Sequence, residues 1–173
     1  ELPQDNPDLK HQCLLLMDEF TSIGRVEIIA HSVSYMAGYN IRLFPIIQSV
    51  AQLDAVYGKE YARTIITNHA LQIIYTPREQ QDANEYSEML GYTTVKRKNV
   101  SRGRERSVSE SEERRALMLP QELKGMGQDS EIIIYEGMAH PAKVNKIRYY
   151  QDGMFIKRLK GAVKVASLKG GQQ

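Results

Sequence analysis

The chain of 173 residues has a single cysteine, Cys13, so it can form neither an internal disulfide nor a cysteine metal cage. Its setting in Cys13-Leu14-Leu15-Leu16-Met17 predicts a buried apolar residue rather than a reactive thiol, and a reducing compartment fits. Long apolar runs are missing as well: Cys13 to Met17 and Ile132 to Tyr135 fall far short of the roughly 20 residues that a bilayer-spanning helix needs. The start, Glu1-Leu2-Pro3, has no initiator Met and no charged-then-apolar signal pattern, and reads as the beginning of a fragment. There is no internal repeat. His11, His31, His69 and His140 occur singly, without H-E-x-x-H, and no serine has a G-x-S-x-G setting, which argues against a histidine zinc site and a covalent serine hydrolase. The motif G-x-x-x-x-G-K-[ST] is absent too, because Gly58-Lys59-Glu60 lacks the glycine spacing and the hydroxyl; the sequence offers no phosphate cradle of that kind.

What is present is the composition of one soluble domain, 42% hydrophobic and 25% charged, long enough to bury a single core. The apolar run 13–17 predicts a buried strand. Val26, Ile29, Ala30, Val33, Met36 and Ala37 then recur at three- and four-residue steps, which predicts an amphipathic helix closed by Gly38. Residues 41–48 are a strand candidate weakened by Pro45, helices are expected at 49–57 and 59–67, and a strand at 71–75 is stopped by Thr76-Pro77. A polar helix over 78–90 ends at Gly91, a short helix spans 120–124, and strands are expected at 131–135 and 142–149. Short strands alternating with helices predict an α/β fold with a mostly parallel sheet and an antiparallel addition near the C-terminus. Residues 93–115 show almost no apolar periodicity and read as an exposed, mobile, charged loop that interrupts the core; 161–173 read as a basic flexible tail.

Charge is nearly balanced overall, net +2, but unevenly distributed. Lys96, Arg97, Lys98, Arg102, Arg104 and Arg106 are opposed locally only by Glu105, and eight basic residues between Lys143 and Lys169 only by Asp152. The first run interleaves Arg and Lys with Asn, Ser and Gly, which suits contacts to nucleic-acid phosphates without base reading, and it has no aromatic residue on which a base could stack. A solvated loop that keeps the surface soluble accounts for it equally well, and Glu110, Glu112 and Glu113 could pair with the basic half or with a neighbouring subunit.

The apolar strand ending in Asp18-Glu19 carries the strongest chemical signal, because ligands of open α/β sheets bind at the carboxyl ends of strands. One carboxylate can hold Mg²⁺, usually through water, while its neighbour polarises the water that attacks a γ-phosphate. The plain alternative is a helix start whose dipole favours acids. Gln48 follows the next strand and can sense a γ-phosphate or orient water, whereas Ser49 can simply cap the following helix.

Leu14 to Arg25, Ala37-Gly38-Tyr39-Asn40-Ile41-Arg42, Ile46-Ile47-Gln48-Ser49, Gln52-Leu53, Tyr57-Gly58, Leu117 to Leu123 and Lys146-Ile147-Arg148-Tyr149-Tyr150 with Asp152 together resemble the conjugative type IV secretion coupling proteins, the TraG/TraD-type DNA-translocating ATPases. The resemblance runs over about residues 10–158. It implies the distal half of a RecA-like P-loop NTPase domain over 1–160, lacking the phosphate loop. It also implies Asp18 as the Mg²⁺ residue, Glu19 as the water-activating carboxylate and Gln48 as the strand-tip glutamine. ATP and Mg²⁺ would belong to the full-length protein and would not bind tightly to the fragment, which is expected to be inactive alone. The parent would be a homo-oligomeric ring at the cytoplasmic face of the bacterial inner membrane, working on DNA without sequence preference and with relaxosome proteins and secretion channel components; the fragment itself would be soluble and cytoplasmic. Some members carry an arginine before the second strand that reaches a neighbour's nucleotide; Ala37-Gly38 stands there, with Arg25 and Arg42 nearby. Two other functions compete: a non-catalytic DNA- or protein-interaction module, and part of another RecA-like DNA translocase. Without the proximal half, one face or edge of the sheet would be left open.

Overall fold

A computed structural model describes the backbone of residues 2–102 and 106–161, and the side chains of 2–97 and 111–161. Strand β1 (Cys13–Met17) leads through a 3-10 turn (Phe20–Ile23) into helix α1 (Glu27–Met36) and returns as β2 (Ile41–Pro45). β1 and β2 pair in parallel, Cys13 opposite Ile41 and Met17 opposite Pro45. Helices α2 (Val50–Tyr57) and α3 (Lys59–Thr67) follow, divided by Gly58 at φ +79°. Ser49 starts α2 by accepting the Gln52 N–H on its hydroxyl, one of the donors that a helix start leaves unpaired. β3 (Leu71–Ile74), α4 (Gln80–Leu90), the hairpin strands β4 (Tyr92–Arg102) and β5 (Arg106–Ala116), α5 (Pro120–Lys124), β6 (Ser130–Tyr135), β7 (Ala142–Asn145) and α6 (Gly153–Ile156) complete the order.

The α/β alternation is as expected, but the mostly parallel sheet is not. Among the described residues only β1 and β2 run parallel, whereas β6 stands between β3 and β7 in a three-stranded antiparallel sheet. The single core is likewise two clusters. Phe20, Ile29, Ala30, Met36, Leu53, Tyr57, Ala62 and Ile65 form one; Ile74, Leu90, Leu123, Met126 and Ile132 form the other. The break therefore falls between α3 and β3, not at 93–115. α1 and α3 each supply an apolar stripe to the first cluster, and β6 supplies Ile132 to the second because alternate side chains of a strand share one face.

The expectation of a loop at 93–115 is overturned: β4 and β5 pair in register from Tyr92 opposite Ala116 to Arg102 opposite Arg106. Facing opposite charges contribute to the pairing, beside the facing Val100 and Val108. Lys96 stands opposite Glu112 and Lys98 opposite Glu110, and Arg97 pairs with Glu113 at 3.1 Å. Opposite charges across an antiparallel ladder favour pairing as cross-strand apolar contacts do. The base of the hairpin is tied down by Leu117 N–H donating to Gly91 O and by Ser87 Oγ donating to Met118 O. The tail expected at 161–173 lies outside the described residues apart from Gly161.

β1 is also not the buried strand expected. Leu14 and Leu16 are 62% and 61% exposed, and Cys13 is exposed. A strand that is apolar on both faces is built to be covered on both, and within the described residues its only ladder partner is β2.

The packing after β1 rests on one aromatic pair. Phe20 (0% exposed) stacks on Tyr57 (1% exposed) with ring centroids 5.3 Å apart, and the Tyr57 hydroxyl accepts the Val26 N–H at 3.2 Å. Phe20→Ala should lower the unfolding free energy by about 3–5 kcal/mol through the missing ring and the cavity it leaves. Tyr57→Phe, which keeps the stack and removes one hydrogen bond, should cost about 1 kcal/mol. Urea unfolding followed by circular dichroism checks both; equal losses would show that the stack is not what holds this region.

Candidate functional site

Because β1 and β2 are parallel, their carboxyl ends lie at the same end of the ladder, and Asp18-Glu19 and Gln48 follow those ends. Pairing continues past the strands: Met17 O accepts from Ile46 N–H and Ile46 O accepts from Phe20 N–H, each at 2.9 Å. Asp18 and Glu19 form the arch between these two bonds, and Gln48 sits two residues beyond Ile46. All three side chains belong to exposed residues.

Glu19 adopts φ 51° and ψ 47°, a left-handed conformation that costs a residue with a Cβ about 1–3 kcal/mol. It is held by bonds on both sides. Asp18 Oδ1 accepts the Glu19 N–H at 3.1 Å, and Ser22 Oγ donates to Glu19 O at 2.8 Å. The next residue is the buried Phe20, so the chain turns the carboxylates outward where it turns the ring inward. Thr21 Oγ1 donates to Gln52 Oε1 at 3.4 Å, linking the turn after Glu19 to the helix after Gln48.

The donors here are hard oxygens on an exposed arch. One oxygen of Asp18 is committed to a backbone N–H, and among the described residues no group of three or more His, Cys, Asp or Glu side chains could enclose a metal. That donor set fits Mg²⁺, which keeps waters and takes one or two carboxylates together with phosphate oxygens. Arg25 is occupied elsewhere: it pairs with Glu27 at 2.8 Å, donates to Tyr57 O and lies 4.9 Å over the Tyr61 ring. Arg42 Nη1 donates to Ala37 O at 3.4 Å.

Of the basic residues read as contacting nucleic acid, Lys96 and Arg97 lie on β4 with acidic residues on the facing strand. Lys98 and Arg102 continue β4 and Arg106 begins β5, and Arg104 lies outside the described residues. The hairpin thus belongs to a different ladder from Asp18, Glu19 and Gln48.

Sequence reading missed Asp82. It looks like one more polar residue of α4, yet it is only 4% exposed and its Oδ2 accepts the Val50 N–H at 3.4 Å, which braces the start of α2 just after Gln48. The signal was present in the helix spacing of Asp82, Ala83, Tyr86, Ser87 and Leu90, a stripe whose small and polar members hide its inward direction.

A model of the family described as type IV secretory system conjugative DNA transfer matches residues 1–171. The chain belongs to this family. It is similar to the protein VirD4 of Agrobacterium fabrum, 28% identical over 156 residues that make up 88% of this chain and 23% of VirD4. It is also similar to the conjugal transfer protein TraG of Escherichia coli, 32% identical over 103 residues, 58% of this chain and 16% of TraG. The chain spans about a quarter or less of the length of these curated relatives. Among solved structures, the unbound bacterial conjugative coupling protein TrwBdeltaN70 superimposes with a TM-score of 0.65 at 22% identity, over 79% of this chain and 32% of that one. TrwB in complex with ADP and Mg²⁺ gives 0.62 at 23% identity, over 79% and 30%. The likeness to TrwB shows the fold: the chain folds as the matched part of that coupling protein does.

Burial, opposed by the bond from Val50, and then the charges of Glu85, Glu79 and Asp54 push the Asp82 carboxyl above its ordinary 3.8. A carboxyl that binds its proton more tightly folded than unfolded stabilises fully below pH 3.8, and that contribution is lost as pH rises through the raised value. Asp82→Asn keeps an acceptor for Val50 and removes the ionisation. It should match the parent near pH 3 and exceed it in stability at pH 7, measured by urea unfolding across pH; a variant less stable at pH 7 would refute this account.

Proposed function

We propose that this chain is the distal part of the motor domain of an ATP-driven coupling protein that recruits DNA and protein substrates and pumps them into a type IV secretion channel during conjugation. The observation that carries the reading is the pairing of an Asp18-Glu19 arch with Gln48 at one end of a parallel ladder, in a chain of the conjugative DNA transfer family. Asp18 would hold Mg²⁺, in part through water. Glu19, turned outward by its left-handed backbone, would polarise the attacking water as general base. Gln48 would register the γ-phosphate from the neighbouring strand tip. Bound Mg²⁺ would supply charge neutralisation at the phosphates. The backbone cradle and lysine for those phosphates would come from a longer protein, as would cover for the exposed faces of β1.

The complete protein would act as a homo-oligomeric ring at the cytoplasmic face of the inner membrane, meeting relaxosome proteins and channel components. Among the described residues no helix is long and apolar enough to cross a membrane. The hairpin would contact DNA phosphates through Lys96, Arg97, Lys98, Arg102, Arg104 and Arg106, contacts that ignore base identity as a translocating motor requires.

The purified chain is expected to show no ATP hydrolysis. In a longer protein that includes the upstream half, turnover should be present, and Glu19→Gln should reduce it by about 10²–10⁴-fold while nucleotide binding persists. Hydrolysis by the isolated chain that is lost on Glu19→Gln would refute the division of labour. Turnover in the longer protein that survives the substitution would leave the non-catalytic interaction module as the better reading.

A further inference from the structure

Between Lys96 and Arg106 the hairpin has basic side chains and no aromatic residue, and its Tyr92, at the start of β4, is already covered by Arg114 at 4.0 Å. Aromatic surface lies instead around β7. A cleft of about 450 Å³ is lined by Tyr75 at the end of β3, Glu131 on β6, and Lys146, Arg148, Tyr149 and Tyr150 after β7. Tyr75, Tyr149 and Tyr150 are all half-exposed, a large aromatic area to leave in water, and the Tyr149 and Tyr150 rings meet edge to face at 5.4 Å. Lys146 Nζ stands 4.0 Å from the centre of the Tyr75 ring. Arg148 donates to Tyr150 Oη at 2.8 Å and pairs with Asp129, while Glu131 lines the cleft beside Tyr75. Tyr75 and Tyr150 are thus each held by a cation, Arg148 is paired with Asp129, and the cleft sets Lys146 and Arg148 against Glu131 and that Asp129.

We propose that this cleft is a stacking site for the bases of single-stranded DNA, with Tyr149 as its most accessible platform. The proposal rests on the DNA-handling role inferred above and adds to it a site for the bases, separate in the chain from the hairpin that would hold the phosphates. Tyr149 is steadied by its edge-to-face contact with Tyr150, which Arg148 holds, and every base offers a π face whatever its sequence. Near-neutral local charge has a consequence: stacking here releases few counterions, so its contribution should hardly vary with salt. The hairpin's contribution should vary steeply. Lys146 and Arg148 are engaged with the Tyr75 ring and with Asp129, which leaves them to hold the rings and not to neutralise phosphates.

Fluorescence anisotropy of the 173-residue chain with labelled oligothymidine, and with an abasic phosphodiester of equal length, across a salt series tests this. Tyr149→Ser should weaken oligothymidine binding by about 5- to 100-fold at every salt with an unchanged slope, and leave abasic binding as it was. Tyr149→Phe, which keeps the ring, should bind like the parent. Replacing Arg102, Arg104 and Arg106 by Ser should instead reduce the salt slope by about 0.7 for each phosphate that is no longer neutralised. Unchanged oligothymidine binding by Tyr149→Ser, alongside a reduced slope for the arginine variant, would overturn the stacking site and leave the DNA-handling role standing. Equal weakening on both probes would also overturn it, as a structural effect. No binding by the parent chain would overturn the site and remove support for the wider role as well.

Discussion

The position of the candidate site depends on the burial of one ring. Phe20 enters the first cluster directly after Glu19 and stacks on Tyr57 from the end of α2. Such a pair contributes about 0.5–1.5 kcal/mol beyond the area it buries, and ring burial adds more. That is enough to offset the left-handed backbone at Glu19, so the strained residue that presents the carboxylate is maintained by the apolar residue beside it. Tyr57 extends the constraint: its hydroxyl receives Val26 N–H, and its carbonyl receives Arg25. One aromatic pair thereby positions the tip of β1, the turn that follows and the start of α1.

A second constraint joins the two clusters. Asp82 reaches from α4 to the first N–H of α2, a helix start where a negative charge is favoured by the peptide dipoles. Burial nonetheless makes its ionisation costly, and the raised carboxyl records that desolvation outweighs the helix end. Tyr86, one turn along α4, is raised to about 12 by burial and then by Asp82 and Glu85, so it remains a neutral phenol beside this carboxylate at any physiological pH.

Charge does three different things in this molecule, and the net value of +2 reveals none of them. In the hairpin it supports the register, because Lys96 faces Glu112 and Lys98 faces Glu110. Around the β7 cleft it orients tyrosines and is locally neutralised. At the tip of β1 it is left exposed beside a tightly held backbone.

Helix positions through α5, though not the short α6, were legible in the sequence because they follow from local spacing and capping: Ser49 before α2, Pro120 opening α5, and the three- and four-residue steps of α1 need no distant partner. The motif at the tips of the first two strands was legible for the same reason, as apolar runs ending in Asp18-Glu19 and shortly before Gln48. Strand partners were legible only in part. An antiparallel addition near the C-terminus was expected and is found in β6 and β7, but the inclusion of β3 in that sheet, the hairpin of β4 and β5, and the exposure of β1 depend on contacts between residues far apart in the chain, which no local pattern encodes. Asp82 illustrates the same division, since a polar residue on a polar helix is buried only in the folded chain, where its carboxylate reaches the Val50 N–H. Which segments are helical, and where the carboxylates stand along the chain, could be read from residue order alone, because those are short-range matters of spacing and backbone preference. Which strands meet, which rings gather around Lys146 and Arg148, and which carboxylate is hidden emerged only on folding, because burial and pairing arise between segments and not within them.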